Sequence, residues 1–375
     1  MKPARKGAAG SQPSPDRPLL HEDDALFDTM EEESSSAARA LARLAGARER
    51  GRLAHALLLA GPAGSGKRWC ATRLAQLLAC VRAPAGALRP CLSCVECQRT
   101  ERGLDQDVMV LEPPMDEKKG ERKAEIPVEQ VRATRERLTM RTAGTRRVVL
   151  VDPADRLSLI AQEALLKTLE EPPPGVTILL LSSRPSFLKP TVRSRSALVR
   201  IAPPSPDVLA RALERRGLDA PSAALAARLS RGDVRRAAAL DATAAADAWL
   251  ARARQIYELL GQKGERRARD LALEIAPSKG EDGGGREDML RELDLLEAML
   301  RDALIAGEQA GDGLAARLVN PSAEKAARSL SQRLPGDAAA RGIAAVEAAR
   351  DDLALNMSPK IVLTHLLLSL RPSPP

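Results

Sequence analysis

Four of the five cysteines, Cys80, Cys91, Cys94 and Cys97, are spaced C-x10-C-x2-C-x2-C. Two overlapping C-x-x-C steps let one turn of chain bring thiolates to about 2.3 Å from a single tetrahedral ion. Four sulfurs with no open position describe a structural zinc site rather than a catalytic one. A disulfide pair or four unrelated thiols is the competing reading, and a reducing compartment disfavours it. Cys70, the fifth, reads as a small core residue.

A second cluster is GPAGSGKR at 61–68. Gly61, Gly64 and Gly66, with Ser65 between the last two, allow backbone N–H groups to converge on phosphate oxygens, and Lys67 reaches toward the terminal phosphates. The next position should carry a hydroxyl for Mg²⁺, but it is Arg68, and a guanidinium cannot ligate a cation. The alternative is a plain glycine turn bearing a surface lysine. The other half of an ATP site is an apolar strand ending in two acids, and the chain offers VVLVDPAD at 148–155. Asp152 fits the metal-supporting role, whereas Pro153 replaces the water-polarising carboxylate and can neither accept a proton nor orient water. Asp155 and Glu163 are conceivable substitutes, though a helix-start or surface role suits each better. Two separate losses, one in metal binding and one in water activation, argue against hydrolysis by this chain alone.

The elements that must hold these groups follow from apolar periodicity. HALLLA at 55–60 reads as a strand entering the glycine loop, and a helix follows to about Cys80. Short apolar runs at 108–111, 148–151, 177–181 and 198–201 alternate with helical stretches at about 127–140 and 158–170, the pattern of a parallel sheet covered by helices. A further helix is expected over 37–53. Beyond Pro203 only helices are expected, at 207–216, 221–230 and 234–246, with breaks at Gly217 and Gly232, and again from about Ala248. The segment SKGEDGGGRED (278–288) reads as a flexible loop, and RPSPP as a frayed tail.

Composition sets outer bounds. A length of 375 residues implies two or three domains. With 44% hydrophobic and 29% charged residues the chain is globular, and no apolar run approaches the roughly 18 residues of a membrane span. The N-terminus is basic without an apolar core behind it, which points to a cytoplasmic address. A net charge of +8 suits a nucleic-acid partner, although cations spread among 50 acidic residues also fit a base-composition bias. At 1% aromatics, stacking platforms for single strands are disfavoured.

QEALLKTLEEPP (162–173), TILLLSS (177–183) and PTVRSR (190–195), in this order after Asp152, resemble the AAA+ module of bacterial clamp-loader subunits. IPVEQVR (126–132) and the cysteines inserted after the phosphate-loop helix are similar to the same family. The resemblance covers about Ala37 to Ile201 closely. It implies an α/β AAA+ P-loop domain with a parallel sheet and an inserted zinc module, then a small helical lid domain and an all-α C-terminal collar domain. The corresponding boundaries are a disordered leader at 1–36, the core at 37–202 with its zinc module at 80–97, the lid at 203–246 and the collar at 247–371. Within the family, Arg68 and Pro153 fall on the side of the delta-prime type, a non-hydrolysing stator, and away from the gamma/tau motor type.

By the same resemblance, Ser194-Arg195-Ser196 corresponds to the SRC motif, whose arginine enters a neighbour's ATP site, and Arg235 to a nucleotide-sensing arginine of the lid. A surface role competes for both. Ser182 and Ser183 stand where a strand end senses the terminal phosphate. The implied partners are gamma/tau motor subunits, a delta subunit, the sliding clamp and primed DNA. The implied cofactors are structural Zn²⁺ and, with occupancy open, ATP. Two rival readings are an ATP-hydrolysing motor subunit of the same complex and a zinc-containing nucleoside kinase, the latter leaving QEALLKTLEEPP and PTVRSR unexplained.

Overall fold

The computed structural model describes residues 18–20, 22–30, 35–116, 121–139, 146–240, 242–261, 266–276, 285–308, 314–334, 337–354 and 357–370. Residues 1–17 of the expected leader, most of the loop expected at 278–288, and the tail 371–375 lie outside them. By contact the chain forms two compact units, one of residues 1–216 and 232–239, the other of 217–231 and 240–375.

In the first unit the elements run α1 (Leu26–Thr29), α2 (Ser36–Glu49), β1 (Ala56–Ala60), α3 (Lys67–Ala79), α4 (Val95–Glu101), β2 (Val108–Leu111), an antiparallel pair of two-residue strands, β3 (Met115–Asp116) and β4 (Glu121–Arg122), and α5 (Val128–Thr139). There follow β5 (Arg147–Val151), α6 (Leu159–Glu170), β6 (Val176–Ser182), α7 (Pro190–Ser194), β7 (Ala197–Arg200) and α8 (Pro206–Arg215). Five strands form a parallel sheet in the order β2-β5-β6-β1-β7. Strands β1 and β6 are buried at every position, so they read as continuous apolar runs rather than alternating ones. Their register, Ala60 beside Ser182 and Val151 beside Leu180, brings the ends of β1, β5 and β6 to one edge of the sheet. Whatever follows those three strands is therefore gathered in one place, where open α/β sheets bind ligands.

The helices start where capping chemistry permits. Ser35, Ser158 and Ser205 accept from the backbone N–H groups of Ala38, Ala161 and Val208, closing the N-termini of α2, α6 and α8. Under the sheet, Ile126, Val131, Leu138, Val149, Leu165 and Ile178 form one apolar core.

The second unit is helical among its described residues: α9 (Ala220–Leu229), then, after α10 (Val234–Ala239) of the first unit, α11 (Ala242–Gly261), α12 (Arg266–Ile275), α13 (Gly285–Glu308), α14 (Leu314–Arg317), α15 (Glu324–Arg333), α16 (Ala338–Ala354) and α17 (Pro359–Ser369). Its core includes Trp249, Met289, Leu293, Leu330, Val346 and Leu363. No helix of the described residues is long and apolar enough to cross a membrane.

Three expectations need correction. The leader does not extend to residue 36: residues 22–29 are helical, and Leu26, Phe27 and Met30 are buried. The lid expected at 203–246 is not one body, because α8 and α10 belong with the sheet while α9 belongs with the later helices. The cause at α10 is local, since Val234 N–H donates to the Gly64 carbonyl at 3.3 Å and ties that helix to the glycine loop. The helix expected over 234–246 stops at Ala239, and another begins at Ala242.

Candidate nucleotide loop, arginine site and metal centre

From the end of β1 the chain passes through Gly61–Gly66 into α3. Gly64 and Gly66 have φ of +66° and +94°, conformations that an L side chain adopts only under strain. Space is short as well: a Cβ at Gly66 would stand 2.7 Å from the Phe27 ring, and one at Gly64 would stand 2.0 Å from an Asp233 carboxylate oxygen. Ser65 is buried, and its hydroxyl has no hydrogen-bond partner among the described residues. Lys67 folds back on its own loop, Nζ donating to the carbonyls of Gly61 (2.7 Å) and Pro62 (2.6 Å) and to Ser183 Oγ (3.1 Å). Burial lowers its pKa, opposed by the charges of Asp152, Asp155 and Asp233.

Arg68, one residue on, points to the end of β5. Its Nε lies 2.5 Å from Asp152 Oδ2, and an Nη lies 3.8 Å from Glu112 Oε2. Glu112 in turn accepts from Arg122 at 2.9 Å. The result is an alternating row, Asp152, Arg68, Glu112, Arg122, in which a guanidinium meets the carboxylate expected to support a metal. Glu112 escaped the sequence reading because its partners lie 44 and 10 positions away. The substitutes considered for the missing second acid are both engaged elsewhere. Asp155 accepts from Ser183 N–H at 3.0 Å, and Glu163 pairs with Lys189 at 2.5 Å on the surface.

The segment that sequence reading set aside reaches this same place. Asp24 accepts from Arg235 through both oxygens, at 2.9 Å from Nε and 2.6 Å from Nη2. Phe27 lies 5.8 Å, centroid to centroid, from the Trp69 ring, and Asp28 accepts from Trp69 Nε1 at 2.9 Å and from Arg73. Arg235 itself sits in α10, whose N-terminus Asp233 caps by accepting from the N–H groups of Arg235 and Arg236. The usable signal was the apolar pair Leu26-Phe27 inside an otherwise acidic stretch; Phe is one of only two in the chain.

Arg195 stands apart from the loop. It follows α7, donates to the Thr191 carbonyl at 3.1 Å and pairs with Glu170 at 2.7 Å, with its side chain 38% exposed. A half-exposed guanidinium with one carboxylate partner can exchange that partner for another anion at small cost.

The four spaced cysteines converge as the spacing demands. Their sulfurs all lie within 4.8 Å of one another, and Cys80 and Cys94 are 3.9 Å apart, close to the ~3.8 Å edge of a tetrahedron with metal–sulfur bonds of about 2.3 Å. The C-x-x-C steps are held by N–H···S bonds, Cys94 to the Cys91 sulfur at 3.3 Å and Cys97 to the Cys94 sulfur at 3.4 Å. Burial pushes the thiols of Cys94 and Cys97 up, whereas hydrogen bonds from Ser93 hold Cys91 down at about 6. Four close sulfurs of this kind can hold a metal ion. Cys70 is remote from them in role, fully buried in α3 with its thiol pushed up to about 12 by burial.

Comparison with known proteins finds relatives for part of the chain. A family model described as DNA polymerase III, delta subunit, matches residues 36–205. A DNA polymerase III subunit delta' of Pseudomonas aeruginosa is 46% identical over 145 residues, covering 38% of this chain and 41% of the relative. The delta' subunit of Escherichia coli is 36% identical over 200 residues, covering 53% of this chain and 58% of the relative. A tau subunit of Bacillus subtilis is 31% identical over 145 residues, covering 38% and 24%. The chain thus spans about half the length, or less, of the curated relatives it matches.

Proposed function

Through residues 36–205 this chain belongs to the delta-prime family of DNA polymerase III clamp-loader subunits, and we propose from that premise that it is the stator of such a complex. In this reading it does not hydrolyse ATP. It holds the ring together, its C-terminal helices join a collar with gamma/tau motor subunits and a delta subunit, and it presents Arg195 to the ATP of a neighbouring motor. The assembled complex then places a sliding clamp on primed DNA. Zinc at Cys80, Cys91, Cys94 and Cys97 stabilises the core.

The observation that carries the reading is the pair Arg68–Asp152. Hydrolysis needs a divalent cation between carboxylate and phosphates and a second group that activates water. Here the carboxylate is already neutralised by a guanidinium, and Pro153 supplies no base. Arg195 has the charge and planar fork to stabilise a phosphoryl group in transfer, a contribution of about 10³ to 10⁵ in rate in other nucleotide hydrolases. Its exposure leaves it accessible to a second subunit.

The test uses a reconstituted complex of this chain with motor and delta subunits. Arg195→Ala should lower DNA- and clamp-stimulated ATPase while complex mass stays the same. Unchanged ATPase would remove the finger assignment. Magnesium-dependent turnover by the purified chain, abolished by Lys67→Ala, would instead establish a motor subunit.

A further inference from the structure

We infer that the glycine-loop cleft is closed from within: the carboxylate of Asp24 occupies the Arg235 fork that a nucleotide's phosphates would need, Asp233 crowds the loop tip at Gly64, and Asp24 decides whether the cleft admits nucleotide. The inference rests on the stator reading and extends it, because it says why the loop is kept yet idle.

Each cation of the cleft has an internal partner. Lys67 spends its three N–H groups on Gly61, Pro62 and Ser183. Arg68 is held by Asp152. Arg235 offers its fork, the geometry that Arg otherwise presents to phosphate, to both oxygens of Asp24. Asp24 is almost wholly buried in this pair, with a side chain 4% exposed. At the loop tip, the Asp233 carboxylate abuts Gly64, whose carbonyl is taken by Val234 N–H.

The segment carrying Asp24 is seated firmly on the loop helix and its neighbours. Phe27 covers Gly66, Asp28 binds Trp69 and Arg73, and the Thr29 carbonyl accepts from Arg215 at 2.7 Å. A triphosphate entering the cleft would therefore have to displace Asp24 from the Arg235 fork and approach the carboxylates of Asp152 and Asp233, the first already paired with Arg68.

The experiment measures binding of a fluorescent ATP analogue to the full chain, with and without Mg²⁺, for the wild type, Asp24→Ala and Asp24→Asn. Circular dichroism confirms folding, and the volume-conserving Asn variant decides if the Ala variant does not fold. The expected result is at least about tenfold tighter binding by the Asp24 variants than by the wild type. The gain should be lost again when Arg235→Gln is added to Asp24→Asn. Inorganic triphosphate should raise the melting temperature of the Asn variant and leave the wild type unmoved. Equal affinity of wild type and variants overturns the inference, as does absence of binding in all three. Neither outcome touches the stator reading, which is measured by the effect of Arg195→Ala on the complex.

Discussion

Arg68 Nε stands 2.5 Å from Asp152 Oδ2, so the cation held at the end of β5 is a guanidinium tethered to the loop helix. Both side chains are only 17% exposed. Arg68→Ala leaves Asp152 and Glu112 facing each other without their shared cation. The expected loss of stability is about 2 kcal/mol, between an exposed pair at under ~1 and a fully buried one at ~3 to 5. Thermal unfolding of the variant measures it. ATPase should not appear, since Pro153 still provides no base, and turnover by Arg68→Ala would contradict that division of roles.

The cysteine cluster predicts one zinc per chain by elemental analysis after purification without added metal. Cys94→Ser should lower that ratio severalfold, because Cys94 both supplies a sulfur and accepts the N–H of Cys97. Strong chelation should lower the melting temperature of the wild type by several degrees and leave the variant almost unchanged. Metal ligands must be deprotonated, and a divalent ion favours the thiolates that burial of Cys94 and Cys97 disfavours. A metal-free wild type with an unaltered melting temperature would remove the structural zinc.

These two sites differ in how far the sequence exposed them. The cysteines are close in the chain, and C-x-x-C spacing alone constrains their sulfurs. Gly64, Gly66 and Lys67 were equally legible, as were the sheet strands, because buried parallel strands are short apolar runs that punctuation by helices makes recognisable. The row through Glu112 and Arg122, and the contact of Asp24 with Arg235 across 211 positions, carry no local pattern. Residues 22–30 misled for a physical reason. Their burial depends on three apolar side chains, Leu26, Phe27 and Met30, and on three carboxylates, Asp23, Asp24 and Asp28, whose arginine partners lie 45 or more positions away. Likewise, α9 and α10 are both short Ala-rich helices, and their allegiance to different units is set by what they touch.

Asp302, on α13, gives the helical unit a pH dependence of its own. It is buried and accepts from the backbone N–H groups of Val319 (2.6 Å) and Asn320 (3.0 Å). Burial, only partly offset by those bonds, raises its pKa to about 6. A carboxyl whose folded-state pKa is raised adds stability that is fully present below the unfolded value of about 4 and is lost as pH rises through about 6. The full effect is on the order of 3 kcal/mol at most. Asp302→Asn should therefore flatten the stability profile between those two pH values relative to the wild type. Trp249, in the core of this unit, reports its unfolding by fluorescence in a Trp69→Phe background. Parallel profiles for both proteins would refute the assignment to Asp302.

The pair Arg195–Glu170 makes the most direct prediction for the assembled complex. The two side chains are 38% and 49% exposed, and exposed pairs of this kind contribute about 0 to 1 kcal/mol. Glu170→Ala should therefore leave the melting temperature nearly unchanged. If Glu170 merely holds the guanidinium until a neighbour's phosphates replace it, its removal should also leave the stimulated ATPase of the complex within about fivefold of the wild type, the rate equivalent of 1 kcal/mol. Arg195→Lys should behave differently, because Lys keeps the charge but loses the planar fork, and its rate should fall close to that of Arg195→Ala. A Glu170→Ala complex as slow as Arg195→Ala would show that Glu170 orients the guanidinium during turnover. A fast Arg195→Lys complex would show that charge alone suffices.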